Sequence, residues 1–120
     1  MTGNVSTLTL TIAAAAALAA NRFVTQAGGY PNAGAAAFGV TRTSAAAAGD
    51  LVPVDVHGTA IVEAGAAITK DAPLMVDASG RAVPLSGVGK SPVGRSMDAA
   101  TAAGELIEVL LVPSAGLVSA

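Results

Sequence analysis

Residues 5–12, "VSTLTLTI", alternate apolar and hydroxyl-bearing side chains, which places Val5, Thr7, Thr9 and Thr11 on one face and Ser6, Leu8, Leu10 and Ile12 on the other. A period of two is the mark of a half-buried strand. Further along, "LVPVDVHGTAIVE", "PLMVD", "RAVP" and "ELIEVLLV" are short runs rich in Val, Ile and Leu. Glycine or proline interrupts the chain every few residues between them, from Gly28-Gly29 to Pro113. Short strands separated by frequent turn signals predict an all-β fold, a small barrel or sandwich. "DASG" (Asp77 to Gly80) between "LMV" and "RAV" predicts a tight hairpin turn. Helix is expected in at most one or two short turns, "TSAAAAG" and "MDAATAAG", with Ser44 or Asp98 as the cap and Gly49 or Gly104 as the stop.

Those two segments resemble each other, and the likeness extends. "GVTRTSAAAAGDLVPV" (Gly39 to Val54) lies over "GRSMDAATAAGELIEV" (Gly94 to Val109) without a gap, and "ALAANRFV" (Ala17 to Val24) lies over "AITKDAPL" (Ala67 to Leu74). The pattern predicts a pseudo-two-fold internal duplication, with repeats 12–56 and 62–111 inside one β domain, 12–113. Residues 1–11 would then form an amino-terminal arm or first strand, and 114–120 a tail.

The alanine-rich stretch "TIAAAAALAANRFV" invites a different reading, as an export or membrane segment. A signal peptide needs a positively charged start, and no positive side chain precedes Arg22. The uncharged apolar run Ile12 to Ala20 is nine residues, against the roughly 20 that span a bilayer. Its counterpart in the second half is "EAGAAITKDAPL", which is neither leader nor helix. The run therefore reads as a closely packed connector that crosses to a turn at Asn21, from which "RFVT" opens the next strand.

Composition narrows the function. The 120 residues make one domain, with 52% hydrophobic residues but three aromatics, Phe23, Tyr30 and Phe38, and 29 alanines. Alanine buries little area, so the core is thin, and thin cores are commonly supported by association. Charged residues are 12% and the net charge is -2, which argues against a nucleic-acid partner. There is no cysteine and one histidine, His57, so no thiolate or histidine metal site is expected and no cofactor is assigned.

Catalytic patterns are weak. Gly89-Lys90-Ser91 ends like a phosphate-binding loop, but the earlier glycine is replaced by Pro84 and Pro92 follows at once, so a surface loop is expected. Asp55 and His57 share one strand face and suggest a ligand-binding or catalytic pair, against the plainer reading of two polar residues on a solvent-facing side. No serine or threonine sits in an elbow motif. Glu105 and Glu108 read as a solvated or subunit-facing edge, and Glu63, Lys70 and Asp71 as members of surface ion pairs. The chain is expected to perform no chemistry.

The phrases "TLTLTIAAAAALAANRFVT", "AAGDLVPVDVHGTAIVEAGAAI", "APLMVDASGRAVP" and "AAGELIEVLLVP" together resemble the DUF2190 family of capsid cement, or decoration, proteins of tailed bacteriophages, from Thr7 to Pro113. The resemblance implies a β-rich structural protein of the virion, on the outer capsid surface, made in the host cytoplasm. It implies a homotrimer at local three-fold positions that bridges major capsid protein subunits, with no membrane or nucleic-acid partner. The residues assigned to capsid contact are Thr2, Asn4, Val5, Thr7, Leu8 and Thr9, in an arm that could add to a neighbouring sheet edge. The alternatives are that Val5–Ile12 is the first strand of the protein's own sheet, that Asp55 and His57 form a small-molecule site, and that the chain is a cellular β module of some other assembly.

Overall fold

A computed structural model describes residues 5–112. Eight strands form one sheet: β1 Ser6–Ala13, β2 Phe23–Val24, β3 Gly39–Thr41, β4 Leu51–Glu63, β5 Pro73–Val76, β6 Ala82–Pro84, β7 Gly94–Ser96 and β8 Leu106–Leu111. Every strand pairing is antiparallel, in the order β2-β3-β4-β8-β7-β5-β6, with β1 added to β4. The ends are drawn together by Phe23 N–H donating to Gly80 O at 2.7 Å, Glu63 N–H to Asn21 O at 3.0 Å, Gly34 N–H to Val76 O at 2.8 Å, and a parallel bridge between Ala64 and Ala82. The result is a small, nearly closed β barrel, the all-β class expected from the turn spacing.

β4 is the spine. Its first part pairs with β1 and β3, and Thr59–Glu63 pairs with β8. It therefore ends one half of the sheet and begins the other, and the two halves use one pairing scheme. Ile12 faces Val52 as Val62 faces Ile107, Thr41 faces Val54 as Ser96 faces Val109, and Val24 faces Gly39 as Leu74 faces Gly94. Asn21 (φ 61°) and Asp71 (φ 62°) are the two non-glycine residues with positive φ among the described residues. Both are Asx side chains, which tolerate that conformation by bonding locally. Leu18 exchanges two backbone bonds with Ala45 at 2.9 Å, and Ile68 does the same with Ala100. The hydroxyl of Thr41 donates to Ala19 O at 2.9 Å and that of Ser96 to Thr69 O at 2.7 Å. Between residues 14–24 and 64–74 the offset is 50, and between 38–54 and 93–109 it is 55. The extra five residues belong to the intervening loop, which contains the β5–β6 hairpin in the second half.

Neither "TSAAAAG" nor "MDAATAAG" is helical; both are turns. The carboxylate that satisfies the turn's amides comes from its end, not its start. Asp50 Oδ2 accepts from Ala46 N–H and Ala47 N–H at 3.0 and 3.1 Å, and Glu105 Oε2 accepts from Thr101 and Ala102 N–H at 2.9 Å each. Asp98 instead accepts from Glu108 N–H on β8 at 3.0 Å. A helix would need consecutive i→i−4 bonds, but the acid takes the amides of the turn and the N–H of the positive-φ glycine, Gly49 or Gly104, donates to Ala14 O or Ala64 O. The alanine run does cross from β1 to the turn at Asn21, but it is not uniformly packed. Ala14 and Leu18 are buried, whereas Ala13, Ala15, Ala16 and Ala17 face solvent.

The apolar core forms two clusters. One holds Ile12, Ala14, Leu18, Val24, Ala45, Val52 and Val54 from the first half. The larger holds Ala60, Val62, Ala64, Ile68, Leu74, Val76, Ala82, Val93, Ala100, Ile107, Val109 and Leu111, together with Phe23 and Val40. Alternation along β2 explains the split: Val24 faces its own half and Phe23 faces the other. Arg22 beside them joins the halves electrostatically, donating to both Glu63 oxygens at 3.2 Å and to Ser79 O at 3.0 Å.

Candidate functional site

β1 sits on β4 like an added slat, with one edge paired and the other open. Of Ser6–Ala13 only Ile12 is buried, and Val5, Leu8 and Leu10 are 66%, 47% and 41% exposed. Its pairing to β4 is regular from Thr9 to Ala13 and irregular on either side of Leu8. The strand holds no charge, no proline and no glycine over its eight residues. Edges of this kind are usually blunted in monomers, because unpaired backbone groups attract another strand.

Where the ladder is irregular, side chains hold the strand. Thr7 Oγ1 lies 2.8 Å from His57 Nδ1, and Thr9 Oγ1 donates to Asp55 Oδ1 at 2.9 Å. The other Asp55 oxygen faces Arg42 Nε at 3.4 Å. Val5 N–H donates to Thr59 Oγ1 at 2.7 Å, and that hydroxyl donates in turn to Glu108 Oε2 at 2.8 Å. The two sequence-derived candidates thus coincide. The strand assigned to a partner is fastened to its own barrel by the pair, Asp55 and His57, assigned to ligand chemistry. Thr2 and Asn4 of the same arm lie outside the described residues.

Asp55 is not on a solvent-facing side, since β1 and Arg42 cover it to 2% exposure; His57 is exposed. Glu108 is likewise 2% exposed and is no solvated edge, while Glu105 is exposed as expected. A carboxylate can be buried at tolerable cost when hydrogen bonds and a cation compensate it, as Thr9 and Arg42 do for Asp55. Thr59 and Arg42 were not singled out by sequence reasoning, and Glu108 was, but as an edge residue instead of a buried partner of Thr59. The i, i+2, i+4 spacing of Asp55, His57 and Thr59 on one strand was the available signal for Thr59. Arg42 and Glu108 reach the row from β3's end and β8, which no local pattern reports.

The expected surface pairs are partly present. Glu63 pairs with Arg22 and Arg81, and Asp71 with Arg95 at 3.2 Å, both latter side chains exposed. Lys70, Asp71, Arg95, Ser96, Met97 and Leu110 line an open hollow. The Gly89-Lys90-Ser91 segment is a loop whose Ser91 N–H donates to Gly34 O at 2.8 Å, with no following helix to gather phosphate oxygens. Among the described residues no three His, Asp or Glu side chains cluster as metal ligands. Two carboxyls titrate below the ordinary range: Asp98, mainly through the Glu108 amide, and Glu105, mainly through the Thr101 hydroxyl.

The barrel is similar to a solved phage structure, the N base of head fiber gp8.5 in bacteriophage phi29. The TM-score is 0.68 at 19% identity, over 88% of this chain and 93% of that one. At that identity the likeness is one of fold. No curated protein matches the chain. The model of the phage cement protein family matches residues 2–111, which include every strand and the whole polar row under β1. The chain belongs to the phage cement protein family.

Proposed function

We propose that this protein is a cement subunit that binds the major capsid protein shell of a phage head and stabilises it by adding buried interface across subunit boundaries. It acts as a homotrimer at local three-fold positions of the outer surface, and is present in the host cytoplasm during assembly. We assign the body to 12–113, built from repeats 12–56 and 62–111, the arm or first strand to 1–11, of which β1 joins the sheet from Ser6, and the tail to 114–120. Family membership supports the structural role in the phage head. The observation that carries the capsid contact is the open, uncharged edge of β1 with Val5, Leu8 and Leu10 exposed beside it. A strand of the capsid protein that pairs with this edge gains backbone bonds and covers the leucines, which is β-augmentation. Thr2, Asn4, Val5, Thr7, Leu8 and Thr9 are its contacts.

The thin, alanine-rich core and sparse charge favour a chain that buries more surface by association. Asp55 and His57 fit this reading as anchors of the contact strand, each engaged by a different threonine of β1. Deleting residues 2–8 is expected to abolish cosedimentation with purified capsids while light scattering still reports a trimer. Unchanged capsid occupancy would overturn the contact assignment, and a monomeric intact protein would overturn the trimer.

A further inference from the structure

The opening strand of the second half, Thr59–Glu63 of β4, shows what such a strand looks like when it is built to stay. Its inward residues Ala60 and Val62 are fully buried, and Ala64 beyond them is too. At the matching positions of β1, Ile12 and Ala14 are buried but Leu10 is 41% exposed. Ahead of Leu10 the ladder to β4 changes register twice within Ser6–Thr9, and no apolar side chain is buried. The front of β1 thus departs from its copy in both register and burial. Besides its irregular ladder and the Thr59 N–H bond to Val5 O at 2.7 Å, it is held by hydroxyl bonds: Thr7 to His57, Thr9 to Asp55, and Val5 to Thr59, which leans on Glu108.

Such hydrogen bonds contribute only a modest net stability each, more for the one to the Asp55 carboxylate, because water replaces them when they open. Burial of apolar area, which has no such replacement, is only partial there, since Val5, Leu8 and Leu10 stay 66%, 47% and 41% exposed. The polar row beneath is likewise suited to water. We infer that residues 5–10 form a releasable strap: they lift from β4 as a unit, hinged at the buried Ile12 and Ala14, while the barrel stays folded. The lifted strap offers a partner both of its edges and the side chains of Val5, Leu8 and Leu10, and so can insert between capsid strands instead of resting against one. This rests on the assignment of the arm to capsid contact, but the release itself does not.

Two measurements separate the two. In hydrogen exchange of the free protein, the β4-facing amides of residues 6–10 are expected to exchange about 100-fold faster than those of Ile12 and Val62, as a local opening does. Exchange at a common rate would overturn the strap, whatever the capsid result. The chain has no cysteine, so a disulfide can be placed cleanly. Leu8→Cys with His57→Cys joins register partners at the front, and Ala13→Cys with Leu51→Cys joins partners at the rear. Oxidising the front pair is expected to weaken capsid binding at least about 10-fold relative to its reduced form, and oxidising the rear pair to change nothing. Equal binding of oxidised and reduced front variants would show that release is not needed. Exchange that is fast at residues 6–10, in a protein whose 2–8 deletion still binds capsids, would keep the strap and reject the arm as the contact.

Discussion

The two halves of this barrel share a backbone and differ in what they expose. Phe23 and Val40 of β2 and β3 are buried in the core of the other half, and the residues at the same positions, Pro73 and Arg95, lie at the surface. The halves also share a spine, so they cannot both be inner. One half's outward face is roofed by the other, and the second has no further half to roof it. Identical pairing, with Phe23 facing Val40 and Pro73 facing Arg95, therefore carries an aromatic and a valine in one place and a ring without donor and a guanidinium in the other. The lesson is that backbone hydrogen bonds set the scheme and the environment of each face selects the side chains.

The largest test of this comparison is a matched truncation. Phe23→Ala is expected to destabilise by about 3–5 kcal/mol, because it leaves a cavity between the halves. Pro73→Ala, at the corresponding exposed site, should change stability by less than about 1 kcal/mol. Denaturant midpoints at constant slope measure both. Similar losses at the two sites would break the claim that one half roofs the other.

Thr41 and Ser96 sharpen the comparison from the other side. Both are buried, both accept from the amide of the residue that follows the left-handed one (Arg22 N–H at 3.1 Å, Ala72 N–H at 2.9 Å), and both donate to a carbonyl just before it. Thr41→Ala and Ser96→Ala are expected to cost about 1–3 kcal/mol each and to agree closely, since each strands the corresponding part-buried amide. A large loss at one and none at the other would mean that the hydrogen-bond scheme is repeated in form but not in energy.

The smallest effect concerns acid. Asp98 and Glu105, both in the second half, titrate lower in the folded protein than unfolded. The unfolded chain then binds more protons in the window between the two pKa values, so their contribution is present above the unfolded carboxyl range and lost as pH falls through the folded values. Asp98→Asn and Glu105→Gln are expected to flatten the acid limb of the stability curve slightly, with little change near neutral pH. Thermal unfolding between about pH 6 and pH 3 reads the difference.

Much of the barrel was legible in the chain. The alternation of "VSTLTLTI" placed β1, and "DASG" formed the expected hairpin turn, with Asp77 Oδ1 accepting from Ser79 and Arg81 N–H at 2.9 Å. The turn at Asn21 was expected, and Asp71 at the matching place of the second half makes the same one, because the side chains that permit positive φ are few. The alanine segments were harder. Their high helix propensity was overridden by Asp50 and Glu105, which draw the turn closed from its far end, and propensity over so short a span is a weak term. The polar row was half visible: Asp55 and His57 stood out by type, but their burial and exposure were not readable, since what covers Asp55 comes from Thr9, 46 residues earlier, and from Arg42.

The sequence by itself determined the longer strands, the hairpin at Asp77–Gly80 and the turn at Asn21, because these depend on residues a few positions apart: a period of two, or an Asx at a left-handed turn. The tertiary structure decided which faces are sealed. Phe23 and Pro73 hold the same place in the repeat, and Leu10 and Ala60 do as well. Whether such a position is core or surface depends on what the folded barrel lays over it, and burial is a property of the whole arrangement that no local pattern encodes.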